Sequence, residues 1–170
     1  MSDELHQYFE QVVLPKNSSL VSEGQICRHL YFLESGAIRG SYILDGKEIT
    51  HWFGFAPEFV TSFHSFSTQQ PSVESIYTLE GSVLWRISKV QLSQLMDNYH
   101  EIERLVRIAY EGYYIRLEER FVNAHFKTAA ERYRQLIEQE PHILEKASLG
   151  HVASYLGISQ ETLSRIRSKL

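Results

Sequence analysis

Ser148-Leu-Gly-His-Val-Ala-Ser-Tyr-Leu-Gly-Ile-Ser-Gln-Glu-Thr-Leu-Ser-Arg-Ile-Arg-Ser-Lys-Leu170 is the stretch whose reading decides the architecture. Val152, Ala153 and Leu156 share one face of a short helix, at the spacing a buried stripe requires. Gly157 then permits a positive φ, which residues with a Cβ adopt only at a cost. Ser159 stands where an N-cap is needed, its hydroxyl able to accept from an otherwise orphaned backbone N–H. Leu163 and Ile166 supply the inner stripe of a second helix, from which Gln160, Glu161, Ser164, Arg165 and Ser168 point away. Two short helices joined at a tight glycine turn, with small Ala153 at the crossing, make a helix-turn-helix. The second helix carries side chains able to hydrogen-bond base edges in a major groove. Ser159 would cap any helix, and Glu161 would suit any helix N-terminus. Arg165 and Arg167 in the same helix tip the reading toward duplex DNA.

The rest of the chain bounds that reading. Its 170 residues, 43% hydrophobic and 22% charged, suit one or two ordinary globular domains. The formal charge of −4 is unevenly spread: residues 127–170 hold 7 Lys+Arg against 5 Asp+Glu, and the longer N-terminal part is acidic. An acidic body with a mildly basic end fits a reader with a small contact surface. Cys27 is the only cysteine, which excludes an intramolecular disulfide and a cluster held by several thiolates. No signal core or membrane-length apolar run is visible, so a cytoplasmic protein without membrane association is expected.

From the N-terminus, Leu5, Tyr8, Phe9 and Val12 have helical spacing and predict a short amphipathic helix before Pro15. From about residue 20, short β-rich runs alternate with turns at Ser22-Glu23-Gly24, Glu34-Ser35-Gly36, Leu44-Asp45-Gly46-Lys47 and Leu79-Glu80-Gly81-Ser82. Asp45-Gly46 is the clearest hairpin signal, being suited to a type I′ turn. Turns at this spacing predict a sandwich or barrel. Ser88-Lys-Val-Gln91 and Thr128-Ala-Ala-Glu131 read as capping boxes opening two helices. Between them a long helix is predicted from about His100 into the early 120s. Its stripe of Ile102, Val106, Ala109, Tyr113, Leu117 and Phe121 is narrow enough to resemble a coiled-coil seam. A hinge is expected near Asn123–Lys127.

His151-Val-Ala-Ser-Tyr-Leu-Gly-Ile-Ser-Gln-Glu-Thr-Leu-Ser-Arg-Ile-Arg167 resembles the helix-turn-helix signature of the Crp/Fnr family of transcription regulators. Leu30-Tyr-Phe-Leu-Glu-Ser-Gly-Ala-Ile-Arg39, preceded by Glu23-Gly24, resembles that family's cyclic-nucleotide-binding β-roll. The resemblance implies an α+β protein: an antiparallel β-roll (jelly-roll) over residues 1–97, a dimerisation helix over 98–124 and an all-α helix-turn-helix domain over 125–170. It implies duplex DNA, a second copy of the chain and RNA polymerase as partners. It places Glu161 and Arg165 at base-reading positions, with Ser159 and Thr162 at phosphate-contacting ones. Gln160, Ser164, Arg167 and Lys169 complete the expected DNA surface, and Ile102, Val106, Ala109, Tyr113 and Leu117 the expected dimer seam. With Leu170 ending the chain on the recognition helix, no β-hairpin wing is expected, and phosphate contacts should be correspondingly fewer.

The family's nucleotide site uses a Glu for the ribose and an Arg for the cyclic phosphate. Glu58 in Phe55-Ala-Pro-Glu-Phe59 matches the first, but Pro57 removes a backbone donor. Gln69-Gln-Pro-Ser-Val-Glu-Ser75 lacks the Arg, and Glu74 would repel a phosphate. A buried phosphate without its cation is strongly unfavourable, so no response to cyclic AMP is expected. Phe55, Glu58, Phe59, Ser72 and Val73 mark the expected effector pocket. Trp52, Phe53, Phe55, Phe59, Phe63 and Phe66 read either as core filling it or as a site for an apolar effector. No metal or cofactor is expected, because the histidines show no ligand spacing. No phosphate loop, metalloprotease motif or nucleophile elbow points to an enzyme. The competing reading is a ligand-sensing or protein-interaction β-roll whose DNA reader has degenerated.

Overall fold

The computed structural model describes residues 7–169, which divide into two compact units, one ending at Leu105 and the other beginning at Val106. In the first unit the strands are β1 (Glu10–Leu14), β2 (Ser19–Val21), β3 (His29–Ser35), β4 (Ala37–Leu44), β5 (Lys47–Phe55), β6 (Glu58–Val60), β7 (Ser75–Thr78) and β8 (Ser82–Ser88). Helix α1 (Phe63–Thr68) follows β6, and α2 (Lys89–Asn98) follows β8. The strands form two four-stranded antiparallel sheets, ordered β1-β8-β3-β6 and β2-β7-β4-β5. Leu33, Leu84 and Ile87 of the first sheet and Ile38 and Ile76 of the second are all essentially inaccessible. Burying each such side chain contributes about 1.5–3 kcal/mol. The antiparallel β-roll is thus as expected.

The Asp45-Gly46 hairpin has φ of 51° and 74° at its two central residues, the left-handed pair a type I′ turn demands. It pairs Leu44 with Lys47 and starts the β4–β5 register. That register slips once: Ser41 faces Thr50, but Gly40 faces Trp52, so His51 is the extra residue of a bulge. Bulges re-aim side chains, and this one turns His51 and Trp52 together toward Glu74. Gly40 is required opposite it, since a Cβ there would lie 2.0 Å from the Trp52 indole nitrogen.

The N-terminal helix is corrected by the structure. Leu5 lies outside the described residues, Tyr8 sits in a turn and Val12 lies within β1. Gln11, Val12 and Val13 pair with Trp85, Leu84 and Val83 of β8. Sheet pairing with a neighbour distant in sequence overrode a short local periodicity.

Helix α3 (His100–Phe126) runs from the first unit into the second, whose other helices are α4 (Ala129–Gln139), α5 (Ile143–Lys146), α6 (Leu149–Tyr155) and α7 (Gln160–Arg167). Both capping boxes form. Ser88 accepts from the Gln91 N–H and Thr128 from the Glu131 N–H, while each N3 side chain accepts from the cap's own N–H. Only Lys127 and Thr128 separate α3 from α4.

Candidate nucleic-acid interface and effector region

The terminal helix pair is built on buried Val152 and Ala153 of α6, and Leu156 at its C-cap, with Leu163 of α7, which has no accessible surface. Ser148 caps α6 by accepting from the His151 N–H. At its other end α6 closes in a Schellman motif. The Ile158 N–H donates to the Ala153 carbonyl and the Gly157 N–H to the Ser154 carbonyl, each at 3.0 Å. Gly157 holds φ at 66°, the left-handed value anticipated from the sequence. Ser159 then caps α7, accepting from the Thr162 N–H at 3.2 Å.

This geometry turns the polar set outward. Ser159, Gln160, Glu161, Ser164, Arg165, Arg167 and Lys169 are exposed, and Thr162 is half-buried. Arg165 Nη2 donates to Thr162 Oγ1 at 3.1 Å, which aligns the guanidinium along the outer face. Hydrogen bonding from Ser159 and from its own backbone N–H holds the Glu161 carboxyl below the usual glutamate range. An ionised acceptor and a guanidinium one turn apart are therefore presented together. Such a pair suits a cytosine amino group and a guanine edge.

The expected effector residues are less unified. Glu58 turns back on its own loop, its Oε2 accepting from the Phe55 N–H at 3.2 Å, across the cis Ala56–Pro57 peptide. Phe55 and Phe59 are half-buried, and Phe59 tilts against Phe32 at 5.1 Å. Ser72 is buried, whereas Val73 is 68% exposed. Ser72 Oγ lies 3.0 Å from Ser62 Oγ and donates to the Glu74 carbonyl at 2.7 Å.

Glu74 is the centre that sequence reasoning underrated. It is buried, and its Oε2 lies 2.6 Å from His51 Nε2 and accepts from Trp52 Nε1 at 2.8 Å. Burial alone would raise its pKa. Hydrogen bonds from His51, Trp52 and Ser62, with the His51 charge, outweigh burial and hold the carboxyl below the usual range. A negative charge, an indole and two serine hydroxyls thus meet beside Ser72, one of the residues expected to mark the effector pocket. The signal available in the sequence was Trp52 two residues from Gly54, opposite a strand glycine.

The expected dimer stripe is unevenly exposed in the single chain. Ile102, Val106, Ala109 and Tyr113 are each half-buried in the single chain, while Leu117 is exposed. Large exposed apolar side chains occur on several faces of α3, at Leu105, Ile108, Tyr110, Tyr114, Ile115, Leu117, Phe121, Val122 and Phe126. Among them Tyr110, Tyr114, Leu117 and Phe121 step four, three and four residues along the helix. That four-three-four spacing is the one a coiled-coil seam uses; Tyr110 and Tyr114 lie one residue along the helix from Ala109 and Tyr113, while Leu117 and Phe121 continue the expected stripe. Among the described residues no group of three or more His, Cys, Asp or Glu is placed to hold a metal ion. No helix among them is long and apolar enough to cross a membrane.

Among the described residues, eight strands in two sheets, a long connecting helix and a capped terminal helix pair define a class of proteins with a β-roll followed by a helix-turn-helix-like unit. The chain belongs to the cyclic nucleotide-binding domain family, whose model matches residues 11–99, and it has the Crp/Fnr regulator fold. It is similar to FixK2 from Bradyrhizobium japonicum (18% identity, 95% of this chain and 84% of that one, TM-score 0.81). It is similar also to the c-di-GMP-responsive global regulator CLP of Xanthomonas campestris (18% identity, 98% and 88%, TM-score 0.74). A candidate transcriptional regulator of the Crp/Fnr family from Eubacterium rectale aligns at 17% identity over 96% of this chain and 79% of that one, with a TM-score of 0.76. Comparison with curated protein sequences gives no match.

Proposed function

We propose that this chain is a transcription regulator that binds duplex DNA as a homodimer, with α7 as its reading helix. The observation that carries the reading is the outward presentation of Glu161 and Arg165 on a helix locked by buried Leu163 and capped by Ser159. Ser159 and Thr162 lie at the end of α7 where backbone N–H groups favour phosphate. Arg167 and Lys169 extend the cationic edge. The second copy pairs through Tyr110, Tyr114, Leu117 and Phe121, whose exposed apolar surface a twin helix would cover. Two-fold pairing offers two reading helices to two half-sites, and RNA polymerase would be the downstream partner. The protein works by binding, not by turnover.

The β-roll, on this reading, does not answer to cyclic AMP. Glu74 sets a negative charge beside Ser62 and Ser72, no Lys or Arg lies within residues 69–75, and Glu58 is engaged by its own loop. A cyclic phosphate would face repulsion from Glu74, whose partner His51 is already engaged with that carboxylate. Titration calorimetry with cyclic AMP should give no heat of binding, and micromolar binding would sink this part of the proposal. The DNA reading is tested by fluorescence anisotropy with duplex pools across a salt series. Affinity should fall steeply with salt, and Arg165→Ala should weaken the selected duplex. Full-strength binding by Arg165→Ala, or no duplex binding even at low salt, overturns it.

A further inference from the structure

Arg132, near the start of α4, reaches two helix ends at once. Its Nη1 donates to the Lys127 carbonyl at 3.0 Å and to the Ala124 carbonyl at 3.3 Å. Its Nη2 donates to the Leu156 carbonyl at 2.7 Å. Ala124 lies in the last turn of α3, Lys127 in the link after it, and Leu156 is the C-cap of α6. Carbonyls at helix C-termini lack intrahelical partners and carry the negative end of the helix dipole. A guanidinium with donors in a fixed fork can serve both ends together, which a lysine point charge does not.

A second arginine reaches the same turn from another side. Arg120 of α3 stands over the Tyr155 ring at 5.9 Å from its centroid, within cation–π range. Tyr155 and Leu156 are consecutive, and Leu156 immediately precedes Gly157. The final turn of α6 is therefore tied to α3 through Arg120 and through Arg132. Helix α7 departs from that turn after only Gly157, Ile158 and Ser159.

We propose that Arg132, supported by Arg120, is a positioning residue that sets the angle of α7 relative to α3 and so carries the state of the dimer helix to the reader. The functional part rests on the DNA-reading assignment of α7; the geometric part does not. A residue that merely supported the fold would show itself as lost helix and lost stability. A positioning residue shows itself as a wider range of helix angles in a folded protein.

The test uses the 170-residue chain with spin labels at Glu118→Cys on α3 and Ser164→Cys on α7 in a Cys27→Ser background. Labelled subunits are diluted into unlabelled ones so that only distances within a subunit are read. Pulsed dipolar spectroscopy should give a narrow distribution for the parent, one about twice as wide for Arg132→Lys, and a wider one for Arg132→Gln. Circular dichroism and the unfolding midpoint of Arg132→Lys should stay near the parent's. In unlabelled protein, Arg132→Lys should bind the selected duplex about tenfold more weakly. Unchanged distance widths in both variants overturn the proposal, as does broadening that appears only with loss of helical signal. A parent that binds no duplex would refute the reader assignment, while the distance measurement would still decide the clamp.

Discussion

His51 Nε2 and Glu74 Oε2 stand 2.6 Å apart inside the β-roll, joining the β5 bulge to the segment that enters β7. Because the hydrogen-bonded carboxyl of Glu74 is held below the usual glutamate range, the folded state favours its ionised form. Its contribution to stability is present above the unfolded-state value of about 4.3 and is lost as pH falls through the lower folded-state value. Glu74→Gln should therefore unfold more easily than the parent at pH 7, by about 1–3 kcal/mol. In urea denaturation run at successive pH values the gap should close at acid pH. A gap that persists undiminished well below pH 4 would show that the charge is not what stabilises the pair.

Gly40 makes room for the indole that donates to that carboxylate. Gly40→Ala should displace Trp52 and cost about 1–3 kcal/mol as an overpacked core site. Thermal unfolding followed by tryptophan fluorescence would register both the lower midpoint and an altered native spectrum. A native-like spectrum with an unchanged midpoint would mean that Trp52 has room to spare.

Arg165 and Arg167 should fail in different ways. On the proposed reading Arg165→Ala removes a base-contacting group, costing about 1–3 kcal/mol and relaxing preference at one base pair. Arg167→Ala should weaken all duplexes alike and lower the salt slope by about 1. Competition binding with single-base variants of a selected duplex separates the two. Identical specificity profiles for both variants would remove the distinction.

Tyr114→Lys with Phe121→Lys places like charges in the proposed seam. Sedimentation equilibrium should report a monomer for this double variant at concentrations where the parent is dimeric. Val106→Lys should also weaken the dimer if the half-buried stripe takes part, so the pair of measurements locates the seam around the helix.

Much of this was legible in the chain because the deciding signals are local. Gly157, Ser159, Ser88, Thr128 and the Asp45-Gly46 turn act over three or four residues, and each behaves as its chemistry dictates. The features that spacing does not reveal depend on partners distant in sequence. Val12 reads as helical until β8 pairs with it, and His51 becomes a partner of Glu74 only through a bulge that no periodicity records. Spacing does not fix a single seam on α3. Its apolar residues occupy more than one stripe, and spacing alone does not say which stripe stays uncovered.

The two-residue link between Phe126 and Ala129 acts as a gear setting. Each residue added to the end of α3 would turn the helices beyond it by about 100° and advance them by about 1.5 Å, swinging α4 out of reach of the Ala124 carbonyl. On the proposed DNA-binding reading, homologous chains that differ by a single insertion here should demand operators of different phase, even with identical α7 helices. Loop length, ordinarily the most tolerant property of a protein, would on that reading help determine which genes are addressed.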